Sequence, residues 1–304
     1  MDRLQAAIAK ARISREAGAG PVPVLVPDVP VATKMPVATV PQPAHAPVQL
    51  DVALPAPGPS IAERWSKLPK IEIASDTLAR ARVVTREGGP KTAPFDVLRT
   101  RVTQLMQEND WKRLCITSPG PECGKSTVTL NLAYSLARHQ DLRIVVVDLD
   151  LRRPSLAPML GVASGRDVSR VLEGRAALAD NIVRVSENLA FVTAGRPAKN
   201  PSELLQGRRT RDFLDQLDAE FAPDIVLYDL PPMMVSDDAL GFIPLVDCAL
   251  LISAAEQSTI KQVDTCEKEL ASRTNVLGVV LNKCEYPDNG SNYGYGYGDY
   301  AQIA

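Results

Sequence analysis

Ser118-Pro119-Gly120-Pro121-Glu122-Cys123-Gly124-Lys125-Ser126-Thr127 lies between a short apolar run, Leu114-Cys115-Ile116-Thr117, and the helix-like pattern Val128 to Ala137. A strand, a glycine-bearing loop and a helix start, in that order, gather backbone N–H groups and the positive end of a helix around one anion site. Gly120, Pro121, Glu122, Cys123, Gly124, Lys125, Ser126 and Thr127 are therefore expected to cradle phosphates. In such a loop the lysine reaches the β- and γ-phosphates and the hydroxyl of the next residue ligates Mg²⁺. The usual pattern has a glycine five positions before the second one; here that place is Pro119, and Gly120-Pro121 supplies the turn. The alternative is an ordinary tight turn between a strand and a helix.

Two more segments add acids to this site. Ile144-Val145-Val146-Val147-Asp148-Leu149-Asp150 opens with four β-branched residues, the pattern of a strand buried on both faces in a parallel sheet. Asp148 and Asp150 leave it at its C-terminal end, where open α/β sheets bind ligands. The interval from Lys125 to Asp148 accommodates one helix and a return strand, so the two strands are expected to lie close together. Asp224-Ile225-Val226-Leu227-Tyr228-Asp229-Leu230-Pro231-Pro232 repeats the design, with Asp229 at the exit and prolines that forbid further strand. Strand-end aspartates also serve as caps and turn formers. Three of them at two strand ends beside a phosphate loop point instead to Mg²⁺, held by Ser126, Asp150 and Asp229.

The phosphate loop, Val145-Val146-Val147-Asp148-Leu149-Asp150-Leu151-Arg152-Arg153-Pro154 and Tyr228-Asp229-Leu230-Pro231-Pro232 together resemble the bacterial tyrosine kinases of capsule and exopolysaccharide systems. Asn200-Pro201-Ser202-Glu203-Leu204-Leu205, Val235-Ser236-Asp237-Asp238-Ala239 and Gly278-Val279-Val280-Leu281-Asn282-Lys283 extend the likeness to roughly residues 90–290. The chain departs from that family in two further places. The family's Glu-x-x-Arg-x-x-Arg helix aligns with Ala93, Asp96 and Arg99, which keep only its last member, so no oligomer size carries over. Leu230 stands where a small hydroxyl residue is usual.

Composition and patterning outline the remainder of the chain. A net charge of −2 gives no general pull toward nucleic acid or anionic membrane. No apolar run approaches the ~20 residues that span a bilayer; the best, Phe242 to Ala255, is short and holds Asp247. Five cysteines lack zinc-like spacing, and their odd number argues against a disulfide framework. Cys123 reads as a small loop filler or, alternatively, as an oxidant-sensitive thiol. Residues 1–17 are expected to form a short helix with Leu4, Ile8 and Ala11 on one face. Residues 18–60 carry eleven of the 25 prolines and read as an extended linker. Residues 61–287 are the expected catalytic domain, an α/β fold of the P-loop NTPase type: a mostly parallel sheet with helices on both faces. Strands are predicted near 114–118, 143–148, 189–193, 224–229, 248–253 and 276–281.

Residues 288–304 read as a disordered tail in which Tyr293, Tyr295, Tyr297 and Tyr300 alternate with glycines. Five of the seven tyrosines follow residue 285, spaced as exposed peptide acceptors would be. The resemblance implies that ATP, with Mg²⁺, phosphorylates these four tyrosines, in trans on a neighbouring copy of the chain. It assigns Lys125 to the phosphates, Asp148 to orienting or deprotonating the phenol, Arg152 to the transferring charge or to a salt bridge, and Asn282 to adenine. It further implies a cytoplasmic enzyme recruited to the inner face of the plasma membrane by a membrane polysaccharide co-polymerase, with residues 1–17 as part of the contact, and opposed by a cognate phosphatase. Two other classes fit the same motifs: a partitioning-type switch ATPase, and a nucleotide-gated scaffold of an export complex. The switch usually carries a lysine at the place of Gly120 and a membrane-binding C-terminal helix, and neither is found here.

Overall fold

A computed structural model describes residues 59–162 and 165–285 of the chain. The expected N-terminal helix, nearly all of the proline-rich stretch and the four tail tyrosines lie outside the described residues. Ser60, assigned to the end of the linker, instead caps the first described helix, α1 (Ile61–Lys67): it accepts the Glu63 N–H while Glu63 reaches back to the Ser60 N–H.

Seven strands form one sheet in the order β3-β4-β2-β5-β1-β6-β7. They are β1 (Arg113–Thr117), β2 (Ile144–Asp148), β3 (Ile182–Arg184), β4 (Leu189–Val192), β5 (Ile225–Asp229), β6 (Cys248–Ala254) and β7 (Asn275–Asn282). All neighbours run parallel except β3 and β4. The six predicted strands are all present. The sequence reading missed β3, a three-residue antiparallel edge too short to show periodicity. It also placed β1 and β2 close together; β5 in fact lies between them and pairs with both.

The central strands have both faces buried because helices cover both. Along β2, Val145 and Val147 pack into one core and Ile144 and Val146 into the other. The first core receives Trp65 of α1 and the apolar stripe Phe213, Leu214, Leu217, Phe221 of a long helix, Arg208–Phe221. The second is closed by Val102 and Met106 of the helix Ala93–Glu108 and by the helix that follows the phosphate loop, Lys125–Leu136. Asp96, on the helix Ala93–Glu108, pairs within the chain, 3.1 Å from Arg99 and 2.7 Å from Arg138. No described helix is long and apolar enough to cross a membrane.

Candidate phosphate-transfer site

The parallel arrangement brings the C-terminal ends of β1, β2 and β5 together, and the predicted residues meet there. Asp148 and Asp229 are register partners at the ends of β2 and β5. The segment leaving β5 pairs back onto the segment leaving β1: Leu230 N–H donates to Ile116 O at 2.9 Å, Met233 to Ser118 O at 2.9 Å and Met234 to Pro119 O at 3.1 Å. Pro119 thus contributes a carbonyl where no N–H is required. The tight point of the loop is Gly124, whose φ of +87° is left-handed backbone open to glycine at little cost. A side chain there would also strike Asn282, since its Cβ would fall 2.2 Å from Asn282 Nδ2. Asn282 occupies that space because its amide donates to Cys123 O at 2.9 Å. It is a brace from the end of β7 to the loop. Cys123 itself is buried, which suits a loop filler.

Lys125 begins the helix and extends into the acids. Its Nζ lies 2.7 Å from Asp150 Oδ2 and 4.0 Å from Asp229 Oδ1. Ser126 Oγ donates to Asp229 Oδ2 at 2.5 Å and accepts from Ser155 Oγ at 2.7 Å. These polar groups are almost wholly withdrawn from solvent, and their ionisation shows it. Burial and the neighbouring Asp229 push Asp148 well above the usual carboxylate range. Burial raises Asp229 too, against the opposing pull of Lys125 and the Ser126 hydroxyl. Burial disfavours the Lys125 charge, but Asp229 and Asp150 outweigh it and raise that pKa. Three acids facing one ammonium leave negative charge in excess, the condition that a divalent cation relieves. Among the described residues no preformed cage of three acid, histidine or cysteine ligands closes around a point. Mg²⁺ rarely uses one: a hydroxyl, one or two carboxylates, waters and phosphate oxygens are its normal set, and Ser126, Asp229 and Asp150 provide the protein's share.

Asp148 does not occupy the position that the resemblance assigned to it. Its carboxylate has no exposed surface and accepts N–H bonds from Ser155 at 3.2 Å, Leu156 at 3.0 Å and Asp150 at 3.3 Å. It ties the loop after β2 and the short helix Leu156–Leu160 to the sheet and does not itself line the cavity beside Lys125. The acid at the opening is Asp150, which lines a cavity of about 420 Å³ together with Lys125, Ser126, Arg152, Pro232 and Val235. Arg152 sits at the rim, 47 % exposed, in a salt bridge to Asp238. Sequence reasoning gave no role to Ser155, which touches the metal-ligand candidate Ser126. Its one signal was its position as a hydroxyl residue just past Arg152-Arg153-Pro154. Asp238 was quoted only as part of a family segment.

A larger depression, about 870 Å³, lies at the start of β4 between Lys70, Arg86, Tyr134 and Asn188. Of its cations, Lys70 pairs with Glu187 at 3.1 Å, Arg138 pairs with Asp96 at 2.7 Å, and Arg86 donates to Ile73 O at 3.1 Å. The chemistry is concentrated at the smaller cavity.

Comparison with known proteins shows the family to which the fold belongs. The family model for the CobQ/CobB/MinD/ParA nucleotide binding domain matches residues 114–297. The tyrosine-protein kinase CpsD of Streptococcus pneumoniae is 31% identical over 184 residues, covering 59% of this chain and 78% of that protein. The tyrosine-protein kinase etk of Escherichia coli is 30% identical over 191 residues, which is 61% of this chain. The chain spans only 29% of the length of AmsA from Erwinia amylovora and 25% of etk. The solved kinase domain of the Escherichia coli tyrosine kinase ETK superposes with a TM-score of 0.61 at 27% identity, covering 75% of this chain and 94% of that one. The chain belongs to the CobQ/CobB/MinD/ParA nucleotide-binding domain family and, within it, to the bacterial tyrosine-protein kinases.

Proposed function

We propose that this protein transfers the γ-phosphoryl group of ATP to tyrosine hydroxyls of its own C-terminal tail, on a neighbouring copy of the chain. The observation that carries this reading is the convergence of Lys125, Ser126 and Asp150 on one cavity beside the phosphate loop, with the buried Asp229 bonded to Ser126 behind it. Phosphoryl transfer asks a protein chiefly for positioning and charge neutralisation. The backbone of residues 120–127 holds the phosphates, and Lys125 leaves its pairing with Asp150 to meet the β/γ oxygens. Mg²⁺, when bound, supplies further neutralisation, and Ser126, Asp229 and Asp150 are the residues that would hold it. A tyrosine hydroxyl of pKa about 10 arrives protonated at neutral pH. Asp150, released by Lys125 and facing the cavity, accepts a hydrogen bond from it and so orients it. Asp148 supports this from below by anchoring the Ser155–Leu156 turn. Arg152 stabilises the moving charge from the rim. Asn282, at the end of β7 and bonded to the loop through Cys123 O, is assigned to the adenine.

The same reading places the kinase in control of exopolysaccharide or capsule export. A membrane polysaccharide co-polymerase would recruit and activate it at the inner face of the plasma membrane, partly through residues 1–17, and a cognate phosphatase would reset it. The test is to incubate purified protein with γ-labelled ATP and Mg²⁺, and to follow phosphotyrosine and free phosphate together. Labelled tyrosine supports the kinase. Phosphate release without label supports the switch ATPase, and neither supports the scaffold.

A further inference from the structure

Asp238 is a buried carboxylate that the transfer scheme leaves without a task. Its side chain is 1% exposed, yet it accepts two bonds from one guanidinium: Arg152 Nε to Oδ2 at 2.5 Å and Arg152 Nη2 to Oδ1 at 3.1 Å. Ser236 Oγ donates to the same carboxylate at 2.9 Å, and Ser202 Oγ donates to it as well as to Asp237 at 2.7 Å. Burial works against the Asp238 charge, but the bonds from Arg152, Ser202 and Ser236 outweigh it and hold the carboxyl below its ordinary range. A buried ion costs several kcal/mol in desolvation unless its partners compensate fully. Three segments distant in sequence meet here for that purpose: the exit of β2 through Arg152, the helix Pro201–Gln206 through Ser202, and the loop after β5 through Ser236.

Arg152 is the only one of these donors that also lines the phosphate cavity as a cation. A free arginine carries about 2 kcal/mol of rotamer entropy, and the two-point clamp removes that freedom in advance. The clamp uses Nε and Nη2, which leaves Nη1 for an incoming oxygen.

We infer that Asp238 is a positioning residue, whose buried carboxylate holds the Arg152 guanidinium at the cavity rim to meet the charge of the transferring phosphoryl group. This rests on the phosphoryl-transfer reading above. Asp238 and Ser202 lie outside the cavity lining, and Ser236, which is part of it, carries no charge; the effect on the transferring charge passes through Arg152.

The experiment measures γ-phosphoryl loss from ATP in the full chain, with phosphotyrosine followed in parallel. Arginines that stabilise transferring phosphoryl groups are worth several powers of ten. For a rim residue we expect Arg152→Ala to lower kcat about 100-fold, and Asp238→Asn about 10-fold, with KM for ATP within about three-fold. The double variant is expected to be no slower than Arg152→Ala alone. Dilute guanidinium should restore activity to Arg152→Ala but not to Arg152→Ala/Asp238→Asn, a distinction that a purely structural Asp238 would not produce. If Asp238→Asn does not fold, Asp238→Glu replaces it: the charge is kept but displaced by a methylene, and kcat should fall while KM holds. Equal guanidinium rescue of both backgrounds, or multiplicative losses in the double variant, would overturn the inference. ATP turnover without phosphotyrosine would sink the tyrosine-kinase reading while leaving this comparison intact, and a wild-type protein that does neither would sink both.

Discussion

Lys125→Met is expected to destabilise the apo protein in a way that depends on pH. The lysine is the one ammonium among Asp148, Asp150 and Asp229, and removing one partner of a buried pair costs about 3–5 kcal/mol. A carboxylate can escape that cost by taking up a proton. The price is about 1.4 kcal/mol for each unit between the pH and an unfolded pKa of about 3.9. The loss is therefore capped near 4 kcal/mol at about pH 7 and near 1.5 kcal/mol at about pH 5. The folded variant binds a proton that the unfolded chain does not, so its stability relative to wild type falls as pH rises through this window. For a domain of this size 1 kcal/mol moves Tm by about 2–4 °C, so the deficit should be roughly 8–16 °C near pH 7 and roughly 3–6 °C near pH 5. Differential scanning calorimetry without nucleotide or Mg²⁺ measures it. A deficit that is absent at pH 7, or larger at pH 5 than at pH 7, would refute the account of the charge cluster.

Mg²⁺ alone should raise Tm more near pH 8 than near pH 5, because protons and metal compete for Asp229, whose pKa burial raises; scans with and without a chelator compare the two. Gly124→Ala should cost about 1–2 kcal/mol in left-handed backbone strain and about 1 kcal/mol more through the displaced Asn282–Cys123 bond. Asn282→Gly in that background should cost less than it does alone, as denaturant titrations of the four proteins would show. Asp150→Asn should lower kcat for phosphotyrosine formation about 100-fold while nucleotide affinity, read by isothermal titration, changes far less. Truncation after Asn292 should remove most self-labelling and leave ATP binding unchanged.

The parallel sheet was legible because its buried strands are continuous apolar runs, and two of them carry an acid at the exit, Ile144 to Asp148 and Ile225 to Asp229. The phosphate loop was legible because strand, glycine turn and helix follow one another without a gap. What could not be read depends on contacts remote in sequence. The insertion of β5 between β1 and β2 is a crossover choice that neither strand encodes. Asp148 looked like a reactive acid until the Ser155–Leu156 turn was seen to fold over it. Arg152 had two roles open, and its partner Asp238 lies 86 residues away in a segment with no local signal of its own. Asn282 was read only as a residue at the end of the last strand with a contact to adenine; its bond to Cys123 O spans 159 residues and left no local signal.

The central claim is that one cavity, lined by Lys125, Ser126 and Asp150 and backed by Asp229, phosphorylates the tail tyrosines. Peptide mass spectrometry after incubation of the full chain with ATP and Mg²⁺ tests it most directly. We expect phosphoryl groups on Tyr293, Tyr295, Tyr297 and Tyr300, spread over several of them and lost together in Asp229→Asn. An unmodified tail in protein that has consumed its ATP, or label concentrated on the buried Tyr134 or Tyr228, would contradict it.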